Sequence, residues 1–334
     1  MKNIAINGFG RIGRLVFREL IEKEGFNIVA INDLTDAEQL AYLLKYDTNH
    51  RLYNADVISF DGDYLVFKDK KIRVYSEKDA INLPWRELNV DAVIECSGYY
   101  TKEEEARKHI EAGAKHVIIS APGKGNMKTI VYGVNDEILD GSEEIISAAS
   151  CTTNCLAPVL KVLCDNFGVS HGYMSTVHAF TNDQTTLDIA HKKGINSRRG
   201  RAASMNIIPT STGAATAIGK VIPELNGKMN GNAFRVPVSD GSMVDLTLIL
   251  NKKVTVEEIN NTFKENQSEA LKFTMDPIVS SDIIGSRVGA VVDGMLTDVL
   301  TTDEGDLVKV VAWYDNEMGY TAQLIRTTVT LLNK

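Results

Sequence analysis

Three features of the sequence predict an α/β protein of two domains. Residues 1–150 alternate short apolar strands with helical segments, a glycine-rich turn joins the first strand to the first helix, and beyond residue 150 the strands lengthen. Lys2 to Asn7 is an apolar strand that runs into Gly8-Phe9-Gly10-Arg11-Ile12-Gly13. A helix follows with Ile12, Leu15, Val16 and Leu20 on one face. In such a GxGxxG turn the first glycine allows a tight bend and the second lets backbone approach a pyrophosphate. The third lets helix and strand pack closely. A second strand, Ile28 to Asp33, ends in an acid 20 residues after Gly13, where a carboxylate binds a ribose diol and repels a 2′-phosphate. The first domain is therefore predicted to be a Rossmann-type doubly wound dinucleotide-binding fold, with NAD favoured over NADP.

The remaining elements follow in order. Val57–Phe60, Tyr64–Phe67 and Lys71–Val74 read as a small antiparallel insertion. The parallel pattern resumes at Asp91–Cys96, followed by a helix with a capping box from Thr101 to Glu104 and a terminal Gly113. The next strand is His116–Pro122. Ser97 and Ser120 fall at the carboxyl ends of two strands, where a doubly wound sheet binds its ligand.

The apolar strand Ile145–Ala149 then gives way to Ser150-Cys151-Thr152-Thr153-Asn154-Cys155 and a helix marked by Leu156, Val159, Leu160 and Leu163. A thiol at a helix N-terminus meets unpaired N–H groups and the positive end of the dipole, which favour thiolate. A lone cysteine is also often a small buried hydrophobe. Val169–Thr181 is a long strand on which His178 shares a face with Thr176, Met174 and Phe180; both a core histidine and a catalytic one suit that pattern. The other five histidines lie in polar stretches and are expected at the surface. Residues 181–205 carry His191-Lys192-Lys193 and Arg198-Arg199-Gly200-Arg201, either a solvated loop or a site for a phosphorylated substrate. Thr212-Gly213 opens a small-residue helix whose N-terminus suits an anion, and Arg235 lies within a strand. Strands at Met243–Leu250 and Val308–Tyr314, a helix at Val256–Phe263 and a final amphipathic helix complete the second half.

Composition excludes several function classes. The 334 residues are 44% hydrophobic with net charge −8 and pI near 5.4, which argues against a primary nucleic-acid role. No apolar run reaches membrane-span length, and the N-terminus lacks a signal-peptide core. Cys96, Cys151, Cys155 and Cys164 contain no CxxC pair, so no disulfide framework or zinc site is expected, and a reducing cytoplasm is the natural compartment. The histidines show no metal-ligand spacing, and no metal is expected.

Assembled, the motifs INGFGRIGR, SCTTNC, TVHAFTNDQ, RRGRAA, PTSTGAA, FRVP and WYDNEMGY resemble, in order and over essentially the whole chain, the phosphorylating glyceraldehyde-3-phosphate dehydrogenase family. The resemblance implies NAD-binding residues 1–150 with 318–334, the C-terminal helix returning to that domain. Residues 151–317 would form an α+β catalytic domain with a mostly antiparallel sheet. It implies Cys151 as nucleophile, paired as a thiolate with protonated His178. Thr181, Arg199 and Arg235 would hold the substrate phosphate. Ser150, Thr152, Thr212 and Gly213 would hold the attacking inorganic phosphate. Cofactor contacts would be Gly8, Phe9, Gly10, Arg11, Ile12, Asp33, Ser97, Ser120, Asn316 and Tyr320. A cytoplasmic homotetramer of glycolysis, acting on glyceraldehyde 3-phosphate and inorganic phosphate, is the implied setting. Erythrose-4-phosphate dehydrogenase, with water as acyl acceptor, and a secondary binding role are the alternatives. The chain departs from the common family pattern at Ala148, Ser97 and Ala190, where Asn, Thr and Pro are usual.

Overall fold

A computed structural model describes residues 1–191, 194–303 and 305–334; Lys192 and Lys193 of the basic segment lie outside the described residues. The chain forms two compact units. One comprises Met1–Ile130, Asp136–Ser150 and Leu324–Lys334, and the other Val131–Asn135 and Cys151–Gln323.

The first unit holds β1 (Lys2–Asn7), α1 (Arg11–Leu20), β2 (Phe26–Asn32), α2 (Ala37–Lys45), β3 (Ile58–Asp61), β4 (Tyr64–Phe67) and β5 (Lys70–Tyr75). It continues with β6 (Ala92–Glu95), α3 (Glu103–Glu111), β7 (His116–Ile119), β8 (Lys128–Thr129) and β9 (Ile145–Ser147). These strands make one sheet in the order β3-β4-β5-β2-β1-β6-β7-β9-β8. Strands β5, β2, β1, β6, β7 and β9 run parallel. Ile4, Ala5 and Ile6 are all buried, as expected of a strand covered on both faces. Chain order reverses at β1, which has β2 on one side and β6 on the other, and the carboxyl ends of β1 and β6 flank a crevice there. The expected insertion exists as β3 and β4, but its last strand, β5, also pairs parallel with β2 and so extends the main sheet.

Two local expectations fail. Helix α3 starts at Glu103 behind Lys102, with no side-chain cap. Thr101 and Glu103 instead pair through their backbones with Lys124, which moves the helix start past the expected capping box. His109, expected at the surface, is 0% exposed. It lies one turn beyond buried Ala106 on the inward face of α3, where Trp85 and Glu95 supply hydrogen bonds.

The second unit holds α4 (Cys151–Phe167), β10 (Val169–Ala179), β11 (Ile208–Ser211), α5 (Ala214–Val221), β12 (Met229–Val236), β13 (Ser242–Leu250) and α6 (Val256–Glu265). Strands β14 (Leu271–Thr274), β15 (Ala290–Asp293), β16 (Asp298–Thr302) and β17 (Gly305–Tyr314) follow. The final helix α7, Met318–Leu332, begins in this unit and ends in the first. The strand path is β11-β12-β10-β13-β17-β15-β14, with β16 beside β17. The β10–β12 and β14–β15 pairs are parallel and the rest antiparallel. On α4, Leu156, Val159, Leu160 and Leu163 are fully buried, each contributing about 1.5–3 kcal/mol of transfer free energy. That face anchors the helix whose first residue is Cys151.

Candidate active site

In the first unit the crevice at the β1/β6 reversal is a cleft of about 520 Å³ whose walls include Gly8, Gly10, Asp33, Leu34, Glu77 and Ser97. Gly8 has φ +88°, and a Cβ there would lie 2.5 Å from the Ser97 nitrogen. A Cβ on Gly13 would lie 2.1 Å from the Gly8 carbonyl oxygen. These close approaches require glycine and account for the first and third positions of the motif. Gly10 is the N-cap of α1, has no side-chain cap, and faces open space. It leaves α1 with an uncovered N-terminus suited to a pyrophosphate. Asp33 accepts from the Phe9 N–H at 2.7 Å and the Thr35 N–H at 3.0 Å, which holds its carboxylate at the cleft. A glycine cradle, a bare helix N-terminus and an acid at the end of β2 fit NAD.

Other cofactor candidates are held differently. The Phe9 ring is buried edge-on against Phe17, so only its backbone faces the turn. Arg11 forms a two-point ion pair with Asp47 at 2.5 and 3.0 Å. Burial alone would raise the Asp47 carboxyl, but Arg11 and the His50 N–H bring it down to about 2. Ile12 is half-buried and Ser120 extends β7, its N–H donating to the Glu95 carbonyl at 2.9 Å. Beside it, burial pushes the Cys96 thiol up to about 12, as suits an inert thiol. Asn316 and Tyr320 belong to the second unit and are buried; the Asn316 amide oxygen accepts from the Ser242 hydroxyl at 2.6 Å.

In the second unit Cys151 opens α4 and His178 lies near the end of β10, with Sγ and Nε2 3.4 Å apart. The turn before α4 is strained: Ala149 has φ +59°, a conformation that costs a non-glycine residue about 1–2 kcal/mol. Nothing in the local sequence announced this. The His178 Nδ1 lies 2.7 Å from the Ala179 carbonyl and 3.1 Å from Arg235 Nη1; the shorter carbonyl contact assigns the proton to Nδ1, because Arg235 Nη1 has the Ala179 carbonyl and the Thr181 hydroxyl as its own acceptors. This assignment leaves the Nε2 lone pair facing the thiol. Arg235, paired with His178 across β10 and β12, donates to the Ala179 carbonyl at 3.0 Å and to the Thr181 hydroxyl at 3.1 Å. The Thr181 hydroxyl donates to Asp183 at 2.7 Å, and Asp183 forms an ion pair with Arg199. One connected cluster therefore contains Cys151, His178, Thr181, Arg199 and Arg235, with Asp183 as the link that sequence reasoning missed.

Thr152 joins through a second relay. Its hydroxyl lies 2.9 Å from the Tyr314 hydroxyl, which lies 3.0 Å from Thr176 Oγ1. Thr176 in turn donates to the Met243 carbonyl at 2.9 Å. Tyr314 is buried and stands edge-on to the His178 ring; the sequence placed it in a strand and in the WYDNEMGY motif without a role in the site. Thr212 and Gly213 stand at the start of α5, with the Ala214 N–H donating to the Thr212 hydroxyl at 3.2 Å. Ser150 is the last residue of the first unit, directly before Cys151 in the chain.

Electrostatics bear on the Cys151–His178 pair. Burial pushes the Cys151 thiol up, and the opposing Arg235 charge and Thr152 donors do not reverse it. Burial, aided by Arg235, pushes His178 down to about 3. Desolvation is the first cause of both shifts, and for each group taken singly it opposes the charged form. Cys155 is fully buried with its thiol pushed up, a packing residue as expected.

Comparison with known proteins bears on both sites. Residues 2–103 match the model described as glyceraldehyde 3-phosphate dehydrogenase, NAD binding domain. Residues 150–316 match that of the C-terminal domain. Proteins named glyceraldehyde-3-phosphate dehydrogenase from Clostridium acetobutylicum and Clostridium pasteurianum are each 54% identical over 327 residues, covering 98% of this chain and 97% of theirs. The one from Streptococcus pyogenes is 51% identical over 325 residues, covering 97% and 96%. With both domain models matched and relatives more than half identical along nearly the full length, the chain belongs to the glyceraldehyde-3-phosphate dehydrogenase family.

Proposed function

We propose that the chain oxidises D-glyceraldehyde 3-phosphate, with NAD and inorganic phosphate, to 1,3-bisphosphoglycerate in glycolysis. The observation that carries this is the Cys151 Sγ facing the Nε2 of His178 at 3.4 Å, beside Arg235 and Thr181. His178 Nε2 takes the thiol proton as Sγ attacks the aldehyde carbon, so the cost of a standing thiolate is avoided. The new hemithioacetal oxygen receives that proton and is stabilised by the Cys151 N–H and His178. His178 removes the proton again in the oxidation step, which leaves a thioester on Cys151. NAD, when bound, supplies the hydride acceptor. Inorganic phosphate then attacks the thioester carbon, the carbon–sulfur bond breaks, and Cys151 leaves as thiolate to be reprotonated.

Two anion sites serve this chemistry. Thr181, Arg199 and Arg235 hold the substrate phosphate, with Asp183 orienting Thr181 and Arg199. Ser150, Thr152, Thr212 and Gly213 hold the attacking phosphate, with Tyr314 orienting Thr152. Gly8, Phe9, Gly10, Arg11, Ile12, Asp33, Ser97 and Ser120, with Asn316 and Tyr320, serve the cofactor. Residues 1–150 with 318–334 serve as the cofactor domain and 151–317 as the catalytic domain, although residues 131–135 and 318–323 pack with the second unit. The setting is the cytoplasm and the assembly a homotetramer; no helix among the described residues is long and apolar enough to cross a membrane. The test is NADH formation from glyceraldehyde 3-phosphate with and without phosphate, and with NADP in place of NAD. Strict dependence on phosphate and NAD is expected. Turnover without phosphate would point to water as acyl acceptor and overturn the proposal.

A further inference from the structure

Beneath the cofactor cleft lies a polar network whose inner members do not line it. Glu95, the last residue of β6, and His109, on α3, are 1% and 0% exposed. A buried carboxylate is costly unless donors surround it, and here four do. The Asn7 side-chain amide and His109 Nε2 (3.2 Å) meet Oε2, and the Ser97 N–H (2.7 Å) and hydroxyl meet Oε1. His109 is oriented from its other side. The Trp85 indole N–H, a donor only, lies 3.0 Å from His109 Nδ1, so Nδ1 accepts and Nε2 carries the proton toward Glu95. The Tyr100 ring stands edge-on to the imidazole at 5.0 Å. Asn7 is ordered the same way: its NH2 group faces Glu95, and its oxygen accepts from Asn32 at 2.7 Å.

The outer ends of this network are all cleft residues: Ser97, Asn7 and Asn32 line it. The Tyr99 N–H donates to the Ser97 hydroxyl at 3.1 Å, and the Ser97 backbone is the surface that Gly8 approaches. Stability alone gives no reason for a carboxylate here, since an apolar pair of similar volume packs as well or better. A fully satisfied network does select one arrangement of the groups it ends on.

We propose that Glu95 and His109 are positioning residues for NAD binding, holding the Ser97–Tyr99 turn and Asn7 in the shape the cofactor requires. This rests on NAD occupying the cleft of the first unit. The test titrates NAD against full-length wild type, E95Q, H109L and H109Q, with kcat, substrate KM and thermal midpoint measured alongside. E95Q and H109L should weaken NAD binding about tenfold, the scale of one charge-assisted hydrogen bond, with kcat at saturating NAD and substrate KM changed less than about twofold. H109Q, whose amide still donates to Glu95, should recover affinity to within about threefold of wild type. Unchanged NAD affinity in E95Q and H109L beside a lowered thermal midpoint would reduce the network to a structural role and overturn the inference. Equal losses in H109L and H109Q would overturn it too, and that pair decides the matter if E95Q does not fold. Folded wild type that binds no NAD would overturn the cleft assignment itself.

Discussion

At the carboxyl end of the parallel sheet, Glu95 is enclosed by four donors and its histidine partner is oriented by an indole. In the second unit, His178 is also buried while Cys151 is half-buried, and desolvation pushes both toward their neutral forms. The first cluster is satisfied and holds a shape. The second keeps a base and a nucleophile poised 3.4 Å apart with a proton still to transfer. Within one chain, the same low-dielectric interior serves rigidity where every polar atom is paired and reactivity where a pair is left to exchange a proton.

The sharpest way to break this comparison is to remove the nucleophile. Cys151→Ser should lower NADH formation about a thousandfold or more with NAD binding intact, and near-normal turnover would end the covalent mechanism. His178→Asn should cost about 10²–10³-fold in kcat, since it removes the base but not the thiol; steady-state kinetics would show it. On the cofactor side, Gly13→Ala should destabilise the fold by about 1–3 kcal/mol in urea denaturation, because its Cβ would meet the Gly8 carbonyl. Gly10→Ala separates binding from folding. Its Cβ meets open space in the free protein, so stability should change by less than about 0.5 kcal/mol while NAD affinity falls about tenfold. Loss of stability without loss of affinity would remove Gly10 from the cofactor site.

The pH dependence refines the catalytic half further. With the Cys151 thiol raised, thiolate grows as pH rises; with His178 lowered to about 3, the imidazole keeps its charge state throughout the neutral range. Alkylation of Cys151 by iodoacetamide should therefore climb steadily from about pH 6 to about pH 9 without an acid-side plateau. A plateau would restore the standing ion pair. Arg235→Leu should displace the climb to higher pH, since Arg235 is the charge that most opposes the rise of the thiol.

Much of the first unit was legible in the chain because its chemistry is written in backbone. A GxGxxG between strand and helix, an acid at the end of the next strand and strand ends at Ser97 and Ser120 all sit within local sequence, where glycine spacing and apolar runs have direct steric meaning. The Cys151 helix was visible for the same reason, through Leu156, Val159, Leu160 and Leu163. Side-chain pairing was less visible. The polar neighbours of His109 concealed that this ring, Trp85 and Glu95 meet inside the core. Tyr314 gained its role only when β10, β13 and β17 aligned residues far apart in sequence, and Asp183 only when Arg199 folded back onto it. The strained Ala149 and the desolvation felt by Cys151 and His178 belong to the same class. By itself the sequence determined the periodicities, the glycine positions and the order of motifs. Hydrogen-bond partners and desolvation depend on what surrounds each group in space, and those only the tertiary structure decided.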